Sequence, residues 1–167
     1  MTWGANCEVT PHTAAHEGDI ILLESLIYTE FDANKKECDG TTALHHAAFG
    51  GSLDCLCFLL ENGATVDERD NNGVTALHIA SYQGHLSCVE ALISYNAQVN
   101  IFDNSGQTPL HKAALYNHSE CLDYLLKSNA SVDARTKENV TSLQIAAKYG
   151  YADCLFVLII FSFLLHF

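Results

Sequence analysis

The chain is poor in the residues that bind nucleic acid. Of its 167 residues only eight are Lys or Arg, against twenty Asp or Glu, which leaves a net charge of −12 and a pI near 4.9. Affinity for a phosphate backbone comes largely from clustered cations, and these eight form no stripe, so nucleic acid is not an expected partner. Catalytic signatures are missing too. There is no glycine-rich phosphate loop, no GxSxG, no HExxH and no paired CxxC. The reading that follows is of no enzyme, no cofactor, no bound metal and no small-molecule substrate. Residues 1–10 have neither a basic start nor an apolar run, so no signal peptide is expected. The longest apolar run, Leu155 to Phe167, has thirteen residues, short of the about 20 that a membrane-spanning helix needs. Proline is scarce, at two residues, so little interrupts a 49% apolar composition that can fill the continuous core of one domain.

What is present is a repeat. TALHHAA at Thr42 to Ala48, TALHIAS at Thr75 to Ser81, TPLHKAA at Thr108 to Ala114 and TSLQIAA at Thr141 to Ala147 each begin 33 residues after the last. A unit of this size cannot bury its apolar face alone and must stack on its neighbours, so the period itself predicts a linear solenoid. Ala43, Leu44, Ala47 and Ala48 suit a short first helix, and Leu53, Leu56, Leu59 and Leu60 the buried face of a second. Thr42, Thr75, Thr108 and Thr141 stand where an N-cap hydroxyl would satisfy free helix amides. Gly51, Gly84 and Gly150 mark the turn between the helices. The second helices stop at Asn62-Gly63, Tyr95-Asn96 and Ser128-Asn129, where Gly or Asn can take the left-handed position.

The T[AP]LHxAA core, the glycine turn and the apolar second segment together resemble the ankyrin repeat family over all but the ends of the chain. The resemblance implies an all-α repeat solenoid of stacked helix-turn-helix units joined by β-hairpin-like finger loops. Residues 37–69, 70–102 and 103–135 would be full ankyrin repeats, and 136–167 an incomplete C-terminal repeat with an apolar tail. Residues 1–36 would hold an N-terminal extension and a degenerate repeat that keeps Pro11, His12, Ala14, Ala15 and Gly18. There Pro11 directly precedes His12, so the usual Leu between them is missing. Gly40, Gly73 and Gly106 hold the finger turn, and Asn139 takes the equivalent place because Asn also tolerates positive φ.

Two columns invite a chemical reading. His45, His78 and His111 share one repeat position, but Gln144 replaces them in the last unit. A metal ligand is not normally exchanged for glutamine, whereas a buried hydrogen-bonding side chain can be. The resemblance implies that these histidines tie adjacent hairpins together. Cys55, Cys88, Cys121 and Cys154 form a second column. Stacked helices lie about 8–10 Å apart, too far for a disulfide, whose Cα atoms sit about 4.4–6.8 Å apart. Cys55 and Cys57 point to different faces of one helix. A ladder of small buried hydrophobes is expected, with Cys38 at a hairpin tip the exception. Seven cysteines with no signal peptide suit a reducing compartment, cytoplasmic and also nuclear.

The resemblance further implies a partner protein, bound through the finger tips and the exposed face of the first helices by an adaptor or scaffold. Around the fingers those positions are Lys36, Asp39, Thr41, Arg69, Asn72, Val74, Phe102, Ser105, Gln107 and Val140. Along the first helices and the following turn they are Phe49, Tyr82, Gln83, Leu115, Tyr116, Lys148 and Tyr149. An aromatic recurs at or beside one place in four consecutive units, and large aromatics are favoured interface anchors. Phe49, Tyr82 and Tyr116 are the expected centre of the groove, unless the rings only cover the helix pair beneath. Two alternatives stand: the substrate-recognition part of a ubiquitin-ligase adaptor lacking its recruitment box, and a membrane-associated scaffold using the apolar tail. For that tail the favoured reading is a truncated or alternative chain end whose Leu155 to Leu158 complete the core, the rest extending the helix. A partner or self-contact comes next. Membrane contact through 155–167 is the least favoured. Phe161, Phe163, Leu164 and Phe167 are expected to be exposed.

Overall fold

In the computed structural model residues 10–27 and 32–164 are described. They form five helix pairs in chain order: α1 (Pro11–Glu17) with α2 (Ile20–Ile27), α3 (Ala43–Gly50) with α4 (Leu53–Glu61), and α5 (Ala76–Gln83) with α6 (Leu86–Ser94). Two more follow, α7 (Pro109–Leu115) with α8 (Ser119–Lys127), and α9 (Ser142–Tyr149) with α10 (Ala152–Leu164). First helices pack on first helices and second on second, so the array is a solenoid. The helices are too short to persist alone. They are held by a core that runs through every pair, with Leu44, Leu56, Leu59, Leu77, Leu92, Leu110, Leu122 and Leu125 essentially inaccessible. Each such leucine contributes about 1.5–3 kcal/mol. The alanines Ala47, Ala48, Ala80, Ala113 and Ala114 are fully buried where the helices approach.

The turns follow the sequence closely. Asn96, Asn129 and Asn139 all have positive φ, as do Gly63 and the finger glycines. Each finger is a tight turn closed by backbone bonds, such as Asp70 N–H to the Val74 carbonyl at 2.9 Å, but no strand forms among the described residues. Neighbouring fingers are joined edge to edge by Asn71 to Asp39, Asn104 to Asn72 and Lys137 to Ser105, amide to carbonyl, at 3.0, 2.8 and 3.1 Å. A Cβ on Gly40 would lie 2.7 Å from the Asn71 amide nitrogen, so this joint needs glycine for closeness as well as conformation.

The histidine column is the principal fastener. The Thr75 N–H donates to His78 Nδ1 at 3.2 Å, which makes Nδ1 an acceptor and places the ring proton on Nε2. Nε2 donates in turn to the Gln107 carbonyl, 29 residues on, at 3.0 Å. His45 does the same between Thr42 and Val74, and His111 between Thr108 and Val140. The threonines are the expected N-caps, each in a capping box with the histidine three residues on, and in these three units the hydroxyl also lies 2.8–2.9 Å from the imidazole Nδ1. At Thr141 the hydroxyl does accept from the Gln144 amide, at 3.3 Å, while Gln144 Oε1 accepts from the Thr141 N–H. In the first pair His12 reaches the Lys35 carbonyl, 23 residues on, so its register differs from the other histidines.

The cysteine ladder lies where expected. Cys55, Cys88, Cys121 and Cys154 are buried free thiols and Cys38 is exposed. Burial pushes the thiols of Cys88, Cys121 and Cys154 up to about 11 and raises that of Cys55. At the C-terminal end Leu158 is fully buried, but Phe156 within the expected core segment is 68% exposed. Phe161 corrects the other expectation: it is half-buried, packed on the core beside Leu126, Ala130 and Val132, while Phe163 is exposed. The Leu164 side chain and Phe167 lie outside the described residues. No described helix is long and apolar enough to cross a membrane.

Two outcomes follow from this core. Desolvation lowers the His78 pKa to about 4 from 6.5, against the opposing effect of its backbone partner at Gln107. The native state therefore binds fewer protons than the unfolded state between those values, and stability is full above pH 6.5 and lost as pH falls towards 4. The loss from His78 is about 3 kcal/mol once pH is below both values and about 2 kcal/mol at pH 5. Urea unfolding at pH 7.5 and 5 should show it, and His78→Gln should shrink the difference. The second outcome concerns the thiols: native alkylation should modify Cys38 first among the described cysteines, with the four ladder cysteines reacting only on the timescale of unfolding.

Candidate partner-binding site

The fingers and the inter-helix turns form the two edges of the exposed first-helix surface. Of the finger residues, Asp39, Arg69, Asn72, Phe102 and Ser105 are exposed, while Thr41, Val74 and Gln107 are half-buried. Several have structural work. The Val74 and Gln107 carbonyls accept the histidine bonds, and the Ser105 hydroxyl donates to Asp103 at 2.6 Å. The Arg69 guanidinium donates to the Phe102 carbonyl at 2.9 Å, bridging two fingers. Asp39 accepts from the Thr41 hydroxyl at 2.6 Å, and that bond holds its carboxyl below the usual range.

On the other edge Phe49, Tyr82, Tyr116, Tyr149 and Lys148 are exposed, with Gln83 and Leu115 half-buried. The Tyr82 and Tyr116 rings meet at 4.1 Å between centroids, and the neighbouring Tyr82 phenol raises that of Tyr116 above its ordinary value. Lys148 Nζ lies 5.5 Å from the Tyr149 ring centre, and Tyr149 stacks on Tyr151. Phe49 instead stacks on His16 at 5.4 Å. The aromatic row thus divides into ring pairs, and the expected trio does not form one continuous cluster. Beside Phe49 is a shallow pocket of about 230 Å³ lined by His16, Thr41, His45, His46, Phe49 and Ile79. Burial lowers the His46 pKa while Glu37, 3.1 Å from its Nε2, opposes the shift.

Sequence reading passed over several of these groups. His85 and His118, 33 residues apart, open α6 and α8 and reach back to the Phe49 and Tyr82 carbonyls at 3.2 and 2.9 Å. Each ring lies against the preceding turn glycine: a Cβ on Gly84 would be 2.4 Å from His118 Nδ1. Asn34 and Asn100 tie successive loops through their side-chain amides, and Asp67 accepts from the Gln98 N–H at the same register place. Asp103 and Lys112 form a nearly buried ion pair at 2.8 Å. Burial would raise the Asp103 pKa, but Lys112, Ser105 and the Gln107 amide together bring it to about 2. The 33-residue spacing could have revealed the histidine and asparagine columns; nothing local could have revealed the ion pair.

Among the described residues no three His, Cys, Asp or Glu side chains converge as metal ligands. The recurring helix pair with its buried histidine, finger and αL turn is the decisive geometry, and the family description "Ankyrin repeats (3 copies)" matches residues 12–103 and again 99–162. The chain belongs to the ankyrin repeat family. Ankyrin repeats are generally protein–protein interaction modules, and the family is typically non-catalytic. No curated protein matches the chain closely enough to give a more specific likeness.

The ankyrin turn glycines give a direct check. Gly84 combines φ +79° with the His118 ring above it, so Gly84→Ala should destabilise the array by about 1–3 kcal/mol. Asn117→Gly, at the equivalent turn whose φ is already +60°, should leave thermal unfolding nearly unchanged.

Proposed function

We propose that this ankyrin array is a non-enzymatic adaptor or scaffold that binds a partner protein across the concave face and fingers. The observation that carries the reading is a row of exposed rings at the ends of successive first helices: Phe49, Tyr82, Tyr116 and Tyr149 are 36–51% exposed, and the turns of Phe49 and Tyr82 are stapled by His85 and His118. Large rings held in place lose little freedom on binding, which suits them as anchors. Finger residues Asp39, Arg69, Asn72 and Phe102 add polar and apolar contacts at the opposite edge, with Thr41, Val74, Ser105 and Gln107 fixing the finger geometry. Gln83, Leu115 and Lys148 complete the turn side. The free thiols suit a cytoplasmic or nuclear setting.

Affinity capture from lysate with the wild-type chain and with Phe49→Ala/Tyr82→Ala/Tyr116→Ala tests the reading. Each ring is exposed, so circular dichroism should show an unchanged fold. A partner bound at the groove should lose about 30-fold or more in affinity, as for a hot-spot cluster. Undiminished capture of all specific partners by the variant would count against the concave site.

A further inference from the structure

The convex side carries a second surface that the repeat register exposes. At the place where α6 presents Glu90 to solvent and α8 holds the half-buried Asp123, α10 presents Phe156; where α4, α6 and α8 present Glu61, Ser94 and Lys127, α10 presents Ile160. Phe156 is 68% and Ile160 40% exposed. Ile160 lies away from the side where successive units meet, and Phe156 lies at the convex mouth of the groove between them. The contact side is marked by Ile159, the counterpart of the buried Leu126, so a further unit stacked on α9 and α10 would cover Ile159, leave Ile160 open as Lys127 is, and leave Phe156 partly open as Asp123 is. Phe163, one turn further on, is also exposed and extends the stripe along the helix.

Carboxylates border this stripe. A groove of about 310 Å³ between α8 and α10 is lined by Phe156 and Val157 together with Ser119, Glu120, Asp123 and Asp153. Lys127 answers Asp123, whereas Glu120 and Asp153 face solvent with no cation paired to them in any salt bridge among the described residues. An apolar strip flanked by acids on a chain of net charge −12 selects its occupant: a second copy would bring like charge to the same border, and an anionic lipid surface would be repelled. A helix with apolar residues on one face and Lys or Arg beside them satisfies both parts.

We propose that the α8–α10 convex groove is a docking site for a basic amphipathic helix of a partner protein, separate from the concave face. The probe is a fluorescent eighteen-residue Leu/Lys helix with leucines at helical spacing, compared with its Leu/Glu counterpart by fluorescence anisotropy. The Leu/Lys helix should bind, more weakly as salt rises, and the Leu/Glu helix should not. Phe156→Asp with Ile160→Lys restores the pattern of α8 without changing net charge; it should weaken binding at least tenfold while circular dichroism stays constant. The concave triple-alanine variant should bind the probe as well as wild type does. Equal binding by the double variant, or by the Leu/Glu helix, overturns the proposal. So does sedimentation with neutral phosphatidylcholine vesicles, or dimerisation seen by light scattering, if the double variant abolishes it and the Leu/Lys helix does not compete. Loss of the probe in the triple-alanine variant would move basic-helix binding to the concave face and overturn the separate site.

Discussion

The array depends on one buried imidazole per junction. A 33-residue helix pair has too little interior to fold alone, and stacking brings the polar finger backbone against the preceding unit's first helix. His45, His78 and His111 resolve that conflict because a neutral imidazole accepts at one nitrogen and donates at the other. One end closes the start of its own helix, and the other holds the next finger's carbonyl. Removing the ring would leave a buried amide and a carbonyl unanswered, each costing about 1–3 kcal/mol. Protonating it would replace the acceptor with a donor facing an N–H. The neutral ring is thus part of the architecture, and the burial that makes the bond strong is also what depresses the pKa.

A second staple acts at the opposite edge. His85 and His118 bond back across the turn, and the close approach requires glycine at positions 51 and 84. Where Asn117 stands instead, the next unit carries Tyr151, which stacks on Tyr149. The two junctions fixed at both edges, behind Phe49 and Tyr82, have little hinge freedom, so these rings are presented in one geometry. This rigidity favours recognition through preorganised anchors over adjustment.

Charge follows the two faces. Helices α3, α5, α7 and α9 contain no Asp or Glu, whereas the second helices hold Asp54, Glu61, Glu90, Glu120, Asp123 and Asp153. The overall acidity therefore describes the convex side and the fingers far better than the aromatic concave surface. Any inference about partners from net charge has to be made face by face.

The period alone determined the architecture, because a unit that cannot bury its own apolar face has to stack. Residue identity then determined the turns: Gly40, Asn139, Gly63 and Asn96 could be read directly, since positive φ is a local property of the backbone. The histidine and cysteine columns were legible because a solenoid repeats the same environment every 33 residues. Tertiary structure decided what depends on the neighbour. Tyr82 meets Tyr116 while Phe49 turns to His16, a choice set by which ring the next unit offers. Phe161 turns inward and Phe156 outward in the same apolar run, because helix phase against α8, and not hydrophobicity, fixes which side chain meets the core.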